Sequence, residues 1–392
     1  MQFRDPLPAR TGKPLKILHA AETMKGGVGT VLKSLLDHQT ASFGAGNVVA
    51  VVPDEHVDHL AGIEPASLHL FRRNGRNPKS LIDLGRTLRR AVAMHRPDVV
   101  HLHSSLAGAV GRALLAPRLS RPAVVYTPHA FPFMMASEGW KRRTYRGLEA
   151  GLSHFADAIV CVSDFELQAG LAAGLKPDRL RRIYNGVNTV AGAGLRSRLA
   201  AGERPVQLLF VGRLDRQKGF DVLLEAMSKL PADRFHLTVV GAGVKQSTHE
   251  AAASNIDYAG WVAPSDVGGF YDRADVVVVP SRWEGFAMVP LEALSRGAAV
   301  VATRCCSMPE LIAHNDTGLL FEVDDAATLA QLLRDTPVAR WHAMAQAGRR
   351  KVETEFSNEL MQDKTLELYQ SLLPARSTAD EARQPLVIQA AE

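Results

Sequence analysis

Two glutamates eight positions apart, Glu284 and Glu292, lie in the segment PSRWEGFAMVPLEALSRG, directly after a run of four valines. Gly285 permits an unusual backbone turn, and Pro290 suits the first turn of the helix that we predict there. The loop and the helix N-terminus offer free amides and a positive dipole end, which suit pyrophosphate or sugar oxygens. Carboxylates fit beside such a ligand if they accept hydrogen bonds from its hydroxyls. The structural alternative makes Glu284 a helix cap and Glu292 part of the solvated face, but this context favours ligand binding.

Two cations, Arg213 and Lys218, lie in the segment LLFVGRLDRQKGFDVLLEAM. Arg213 ends a predicted strand and Lys218 precedes a helix predicted from Gly219, so both can point into one cleft. Negative charge develops on a leaving diphosphate when a glycosidic bond breaks, and fixed cations stabilise that charge without a metal ion. The alternative is that Arg213 pairs on the surface with Asp215 or Asp221.

The sequence offers no obvious metal ligands for such a reaction. No aspartate has another aspartate two positions away, so the Asp-x-Asp pair that holds a divalent ion in many sugar-nucleotide enzymes is missing. The three cysteines, Cys161, Cys305 and Cys306, do not have zinc-ligand spacing. We therefore expect neither a metal ion nor another cofactor.

A glycine-rich segment, MKGGVGTVLKSLL, follows the predicted strand LKILHAA. Gly26, Gly27 and Gly29 let the chain approach a ligand closely, and a helix predicted from about Thr30 directs its dipole at the same place. The segment differs from a P-loop, which needs a lysine immediately before its Ser or Thr, because here Gly29 precedes Thr30.

Histidines end two of the predicted strands. His129, in VVYTPHAFPF, places an imidazole at the mouth of the first domain, where it can hydrogen-bond a sugar hydroxyl or assist charge development. A strand-end histidine satisfied by backbone groups is the alternative. His101 and His103, in VVHLHSS, are weaker candidates of the same kind.

The segment from Phe131 to Arg146, FPFMMASEGWKRRTYR, combines aromatic residues, two methionines and several cations. Apolar and basic residues act together at membrane surfaces, so this segment can contact a lipid-linked acceptor or anionic lipid. The start of an ordinary amphipathic helix explains the same pattern.

Short apolar runs alternate with helical stretches along the whole chain, which predicts an α/β fold of two doubly wound parallel-sheet domains. Ligands in such sheets bind beyond the carboxyl ends of the strands. The expected units are a first domain at 15–188, a linker at 189–205, a second domain at 206–358, a closing helix at 359–373 that packs back on the first domain, and a loose tail at 375–392. The expected strands begin at Leu15, Asn47, Val99, Ala123, Ala158, Val206, Phe235, Val276 and Ala298.

Length and composition agree with two soluble units. The chain has 392 residues, 46% of them hydrophobic, and no apolar run approaches the roughly 20 residues that span a bilayer. The segment MQFRDPLPAR does not have the apolar core of a secretory signal, and the few cysteines suit a reducing compartment, so we expect a cytoplasmic protein.

The formal charge of +5 is unevenly distributed. Residues 1–190 hold 25 Lys and Arg against 15 Asp and Glu, whereas the remainder is acidic. A basic first half can attract anionic lipid, phosphorylated acceptors or nucleic acid. Charge alone does not choose among these three partners.

The motifs GGVGT, TPHAF, GRLDRQKG and EGFAMVPLE, in this order and at these separations, resemble glycosyltransferase family 4, whose two-domain fold is called GT-B. The resemblance covers about Leu15 to Leu373. It implies a retaining enzyme in which the leaving phosphate helps to deprotonate the acceptor. Independence of metal ions is expected from the missing Asp-x-Asp pair.

The resemblance also implies residue roles. Glu284 and His129 would act at the transferred sugar, and Glu292 would bind the donor ribose. Backbone near Trp261 and Val262 is expected to contact the base. The residues expected around the donor phosphates are Gly26, Gly27, Arg213, Lys218, Phe286, Ala287 and Met288.

The sequence departs from the family pattern at two places. Many relatives carry glycine where Ala287 stands, so an extra methyl group narrows the expected donor pocket. Relatives also commonly carry paired glycines where Cys305 and Cys306 precede MPELI.

The leading hypothesis is transfer of a sugar from a UDP- or GDP-sugar to a saccharide or lipid-linked acceptor in cell-surface polysaccharide or exopolysaccharide synthesis. Peripheral contact with anionic membrane is expected, and nucleic acid is not. One alternative is a nucleotide-sugar 2-epimerase of the same fold. Another is a non-catalytic module that binds sugar nucleotides.

Overall fold

A computed structural model describes residues 14–116, 121–135, 138–189, 204–243, 254–263 and 266–373 of the chain. These residues form two lobes, each built on one parallel sheet. Strands such as Val276–Val279 and Ala299–Thr303 are buried along their whole length, as strands of a sheet covered on both faces must be. The expected α/β architecture of two doubly wound domains is confirmed.

The first lobe contains a seven-stranded sheet with the order β3-β2-β1-β4-β5-β6-β7. The strands are β1 (Ile17–Ala21), β2 (Val48–Pro53), β3 (Leu68–Phe71), β4 (Val99–His103), β5 (Ala123–Thr127), β6 (Ala158–Cys161) and β7 (Leu180–Arg182). The helices are α1 (Gly27–Phe43), α2 (Pro78–His95), α3 (Ser105–Leu115), α4 (Pro132–Met135), α5 (Gly139–Leu152) and α6 (Asp164–Ala172).

The second lobe contains a six-stranded sheet with the order β10-β9-β8-β11-β12-β13. The strands are β8 (Val206–Val211), β9 (Phe235–Val240), β10 (Ile256–Gly260), β11 (Val276–Val279), β12 (Ala299–Thr303) and β13 (Leu319–Phe321). The helices are α7 (Phe220–Met227), α8 (Val267–Arg273), α9 (Met288–Ser295), α10 (Met308–Leu311), α11 (Ala326–Asp335), α12 (Val338–Glu355) and α13 (Asn358–Leu372).

Four strands escaped the sequence analysis: β3, β7, β10 and β13, which lie at the four edges of the two sheets. They have three to five residues, and all but β13 include exposed or half-buried positions. An edge strand is covered on fewer sides than a central one, so it does not need a continuous apolar run. One helix start was also placed too late, because α1 begins at Gly27 instead of Thr30. Pro290 lies in the first turn of α9, as predicted.

The strand order reverses once in each sheet, between β1 and β4 in the first lobe and between β8 and β11 in the second. Loops that leave the two central strands diverge at such a reversal and open a crevice for ligands. In the second lobe these loops are 212–219, after β8, and 280–287, after β11. They contain both expected cations and Glu284.

The chain returns to the first lobe at its C-terminal end. Ser34 on α1 donates a hydrogen bond to Asn358 Oδ1 (2.6 Å), and Gln362 Nε2 on α13 donates to the Ser34 carbonyl oxygen (3.0 Å). Helix α13 therefore packs on the first lobe. Most of the expected linker, residues 190–203, and the expected tail lie outside the described residues.

No helix in the described ranges is both long enough and apolar enough to cross a bilayer.

Gly186 lies against the backbone that leads into α13. A side chain at this position tests how tightly the two lobes are joined. A Cβ atom there would lie 2.4 Å from the Ser357 carbonyl oxygen and 2.7 Å from Asn358 Cα. Because both neighbours are backbone atoms, we expect Gly186→Ala to lower the free energy of unfolding by about 2 to 3 kcal/mol. Urea denaturation measures the change.

The matched control, Gly147→Ala, adds a methyl group with nothing within 4 Å, and it is expected to be neutral or slightly stabilising. Equal stability of the two variants would contradict the close contact.

Candidate functional site

The loops after β8 and β11 bring Lys218 and Glu284 together. Lys218 Nζ donates a hydrogen bond to Glu284 Oε1 (2.6 Å), and Ser281 Oγ donates to the same oxygen (2.7 Å). Both charged side chains are largely removed from solvent. Gly219 makes this approach possible, since it has a positive φ of 64° and a Cβ there would lie 1.9 Å from the Pro280 carbonyl oxygen.

Arg213 lies at the same end of the sheet but is engaged elsewhere. Its guanidinium forms an ion pair with Asp215 (3.0 Å) and donates to Gln217 Oε1 (2.6 Å), and its side chain is more than half exposed. The structure thus shows the surface pairing with Asp215 that the sequence left open. Asp221 pairs with Arg282 instead. The role of Arg213 at a diphosphate remains a prediction.

Glu292 lies on α9, the helix that follows the loop of Glu284. The Tyr271 hydroxyl donates to Glu292 Oε2 (2.7 Å). Burial raises the pKa of the Glu292 carboxyl above its ordinary value. Glu292 is half-buried and hydrogen-bonded to Tyr271, which does not fit a freely solvated helix face. The helix-cap alternative for Glu284 is wrong, because Ala287 is the N-cap residue of α9 and no side chain caps the helix.

The N-terminus of α9 faces the glycine-rich loop of the first lobe. Phe286, Ala287 and Met288 are buried at this helix end. A Cβ atom at Gly27 would lie 3.4 Å from Met288 Cγ, and Gly26 has a positive φ of 67°. The glycines therefore allow two helix N-termini, α1 and α9, to approach each other across the crevice.

His129 lies in a strained turn after β5. His129 and Ala130 have φ values of 55° and 98°, a region that residues other than glycine rarely occupy. The buried Glu166 carboxylate holds the turn by accepting a hydrogen bond from the Ala130 amide (2.8 Å). From the second lobe, Gly285 packs so closely that a Cβ there would lie 2.8 Å from Ala130 Cβ. Any side chain at position 285 would push the two lobes apart at this point.

Behind His129, three more histidines form a buried cluster: His19, His101 and His103. His103 Nδ1 lies 3.1 Å from His129 Nε2, and its Nε2 lies 3.0 Å from His19 Nδ1. Burial lowers the pKa of His19 and of His129 to about 4. Burial also holds the pKa of His101 and of His103 well below the ordinary value. All four imidazoles are neutral at pH 7.

The three buried histidines are the group within the described residues that could hold a metal ion. One ring nitrogen from each lies within 4.8 Å of the others. In the structure these nitrogens bond to one another and to neighbouring groups; His101, for example, contacts Thr127 Oγ1 (2.7 Å) and the Tyr369 hydroxyl (2.5 Å). Independence of metal ions remains a prediction.

A cavity of 310 Å³ opens between the lobes beside Glu284. It includes apolar, aromatic and basic side chains, and much of its first-lobe wall comes from the segment Phe131–Arg146, which forms α4 and the start of α5. The lining residues are Ala130, Phe133, Met134, Met135, Arg142, Arg146, Phe165, Ala169, Ala172, Trp283, Glu284 and Cys306.

The two sites of departure from the family pattern differ in position. Cys306 lines the cavity, and its Sγ lies 3.5 Å from the Glu284 amide nitrogen, which donates to it. Ala287 is buried at the N-terminus of α9.

The expected base contacts lie after β10, where Trp261 is 71% exposed and Val262 is half-buried. Their role is a prediction that the structure leaves untested.

Sequence reasoning missed four side chains that support the site: Ser281, Tyr271, Glu166 and Tyr369. Ser281 was visible as the second residue after the four valines, in the loop beyond the carboxyl end of the strand, where ligands bind in such sheets. The other three lie 21 to 268 positions from their partners. No local pattern marks partners at such separations.

Two family models match the chain, one on each lobe. The model described as Glycosyltransferase Family 4 matches residues 25–190, and the model described as Glycosyl transferases group 1 matches residues 205–336. A Klebsiella pneumoniae protein, described as an uncharacterized 41.2 kDa protein in the cps region, is 31% identical over 369 residues, which are 91% of this chain and 100% of that protein.

Two further comparisons agree. EpsD of Bacillus subtilis, described as a putative glycosyltransferase, is 25% identical over 327 residues, which are 77% of this chain and 84% of EpsD. The crystal structure of HepE from Anabaena, in complex with UDP-glucose, superposes with a TM-score of 0.72 at 20% identity and covers 91% of this chain and 100% of HepE. The expected GT-B fold is therefore confirmed.

The buried histidines predict a loss of stability in mild acid. Their folded pKa values lie below the ordinary 6.5, so between these values the unfolded chain binds more protons and stability falls as the pH falls. We expect a histidine with a folded pKa of about 4, such as His19, to cost about 3 kcal/mol at pH 4. Burial raises the pKa of Glu166 to about 7 and also raises that of Glu292, which offsets part of the loss.

Urea denaturation at pH 7, 6 and 5 measures this dependence. The His19→Gln variant, which keeps hydrogen-bonding groups but does not titrate, should show a shallower decline. Constant stability of the wild-type protein between pH 7 and pH 5 would contradict the buried neutral cluster.

Proposed function

Since the chain belongs to glycosyltransferase family 4, we propose that it is a retaining, metal-independent enzyme that transfers a sugar from a UDP- or GDP-sugar donor. The acceptor in this proposal is a saccharide or lipid-linked oligosaccharide of a cell-surface polysaccharide. The observation that carries the proposal is the contact between Lys218 and Glu284 in the crevice of the second lobe. HepE, which shares the fold, was solved with UDP-glucose, and the Klebsiella relative is described as lying in a cps region.

On the donor side, positive groups converge where the diphosphate would lie. The Lys218 ammonium is beside the crevice, and the N-termini of α1 and α9 approach each other there. Fixed cations and helix dipoles stabilise the charge that develops on a leaving diphosphate, and a site that excludes water strengthens this effect. In this arrangement Glu284 accepts hydrogen bonds from the transferred sugar, and Glu292 accepts them from the donor ribose.

On the acceptor side, the cavity beside Glu284 combines two chemical characters. Phe133, Met134 and Met135 offer an apolar wall, and Arg142 and Arg146 lie one helical turn apart on α5. An apolar wall with adjacent guanidinium groups suits a lipid-linked acceptor whose head group is anionic. Exposed Met135 and Trp140 lie close in sequence to these arginines, which supports peripheral contact with an anionic membrane.

A donor screen tests the transfer. Purified protein is incubated with UDP- and GDP-sugars, with and without a lipid-linked acceptor extract, and the products are separated by mass and anomeric configuration. We expect one donor to be consumed and Glu284→Gln to reduce the rate by about a hundredfold or more, because a carboxylate that contacts the transferred sugar is lost. Glu322→Gln, on an exposed ion pair with Arg304, is the matched control and should keep full activity.

Other outcomes of this screen would refute the proposal. An epimerised nucleotide sugar formed without acceptor would indicate an isomerase of the same fold. Tight donor binding without hydrolysis or transfer would indicate a binding module. Full activity of Glu284→Gln would remove this residue from the site. Loss of activity on chelation, restored by a divalent ion, would contradict metal independence.

The acceptor cavity makes a separate prediction. We expect the double variant Arg142→Gln and Arg146→Gln to raise the KM for an anionic lipid-linked acceptor by about tenfold or more, since each charge-assisted hydrogen bond contributes about 1.5 to 3 kcal/mol. Hydrolysis of the donor without acceptor should stay unchanged. Arg143→Gln is the matched control, because Arg143 is an exposed neighbour on α5 that does not line the cavity. An equal effect of the control would indicate general electrostatic attraction instead of a defined site.

A further inference from the structure

A chain of hydrogen bonds runs through the first lobe from Gln39, on α1, to His129 at the crevice. Gln39 Oε1 lies 2.8 Å from His19 Nε2, and His19 Nδ1 lies 3.0 Å from His103 Nε2. His103 Nδ1 in turn lies 3.1 Å from His129 Nε2. Gln39, His19 and His103 are buried. Both ring nitrogens of His19 and of His103 are therefore used within the chain.

These contacts determine where each proton resides. A neutral imidazole has one donor nitrogen and one acceptor nitrogen, so each hydrogen bond fixes the role of the other nitrogen. Because a carbonyl oxygen only accepts, His19 donates from Nε2 to Gln39 and accepts at Nδ1. His103 must then donate from Nε2 and accept at Nδ1. His129 donates from Nε2, which leaves its Nδ1 as a bare acceptor.

This chain of hydrogen bonds orients the imidazole rings and does not conduct protons. Burial lowers the pKa of His19 and His129 to about 4 and holds that of His103 well below its ordinary value, so the rings are neutral at pH 7. A proton that entered at His129 would have no exit, because the amide oxygen of Gln39 is not a base.

The orientation of the Gln39 amide decides the direction of the whole chain, because a flipped amide would donate to His19 and reverse every proton. In the structure the Gln39 carbonyl oxygen, and not the amide nitrogen, faces His19 Nε2. This orientation sets the direction of the hydrogen bonds described above.

We propose that Gln39 is a positioning residue that holds His129 in the tautomer with its proton on Nε2. The bare Nδ1 is then presented to the crevice between the lobes as a hydrogen-bond acceptor for a sugar hydroxyl. The tautomer follows from the free protein, whereas the sugar hydroxyl rests on the proposed function.

Ring-nitrogen NMR of the full chain, labelled at histidine, reads the tautomer directly because protonated and bare nitrogens have different chemical shifts. The His129 signal is assigned by its loss in His129→Gln. We expect wild-type His129 to show a protonated Nε2 and a bare Nδ1 at pH 7. The opposite tautomer, or an imidazolium, would overturn the proposal. A metal ion bound to the wild-type histidines, found by elemental analysis, would also overturn it.

One variant tests the positioning residue. Gln39→Leu leaves an N–H of His19 without an acceptor, so the reversed chain is favoured and His129 should carry its proton on Nδ1. We expect kcat/KM for the donor to fall about fivefold to tenfold in Gln39→Leu, the equivalent of one hydrogen bond.

Gln362→Leu is the matched control. Gln362 is also a buried glutamine at the contact between α1 and α13, but it bonds Ser34 and not the histidines. This variant should lose stability without altering the His129 tautomer or kcat/KM. A His129 tautomer that is unchanged in Gln39→Leu would refute the positioning role.

A donor analogue distinguishes a failure of this proposal from a failure of the proposed function. A donor analogue that does not have the contacted hydroxyl should be a poorer substrate for the wild-type protein but not for Gln39→Leu, because the two changes remove the same hydrogen bond. Equal losses in both proteins would refute the hydroxyl contact. If no nucleotide sugar is used at all, the proposed function fails, while the NMR result still decides the tautomer.

Discussion

The ion pair between Lys218 and Glu284 is the interaction around which the site is arranged. It joins the two loops that leave the sheet where the strand order reverses, and it lies beside the cavity between the lobes. A partly buried pair of this kind gains little net stability, since both charges lose hydration. Its value lies in placement: a cation and an acceptor of hydroxyl hydrogen bonds are held together before any ligand arrives. Neighbouring groups such as Ser281 complete the hydrogen bonds of the carboxylate.

Close approach of the lobes depends on the absence of side chains at a few positions. Gly27 lies against Met288, Gly285 against Ala130, and Gly186 against the backbone before α13. The Glu310 carboxylate adds a polar contact by accepting hydrogen bonds from the Asp164 amide (2.7 Å) and the Phe165 amide (2.8 Å) at the start of α6. A negative charge at a helix N-terminus is stabilised by the dipole. The close packing at these glycines and the hydrogen bonds of Glu310 together determine the shape of the crevice.

Two features of the first lobe lower the stability of the folded protein. Buried histidines and a strained turn at His129 each oppose folding, because polar groups must be dehydrated and the backbone adopts a rare conformation. Hydrogen bonds among the rings, and between Glu166 and the Ala130 amide, compensate in part. Such costs concentrate at functional sites. Here they surround His129, the neighbour of Ala130 in the cavity wall.

The sequence by itself determined the two parallel sheets, because buried central strands must be continuously apolar. It also placed Glu284 and Lys218 at strand ends, because strand, glycine and helix signals are local. Only the tertiary structure decided that Arg213 turns to Asp215, that Glu292 accepts a hydrogen bond from the buried Tyr271, and that the edge strands exist. The hydrogen bond between Tyr369 and His101 was equally invisible. Side chains distant along the chain meet through packing, and packing has no period in the sequence that marks its partners.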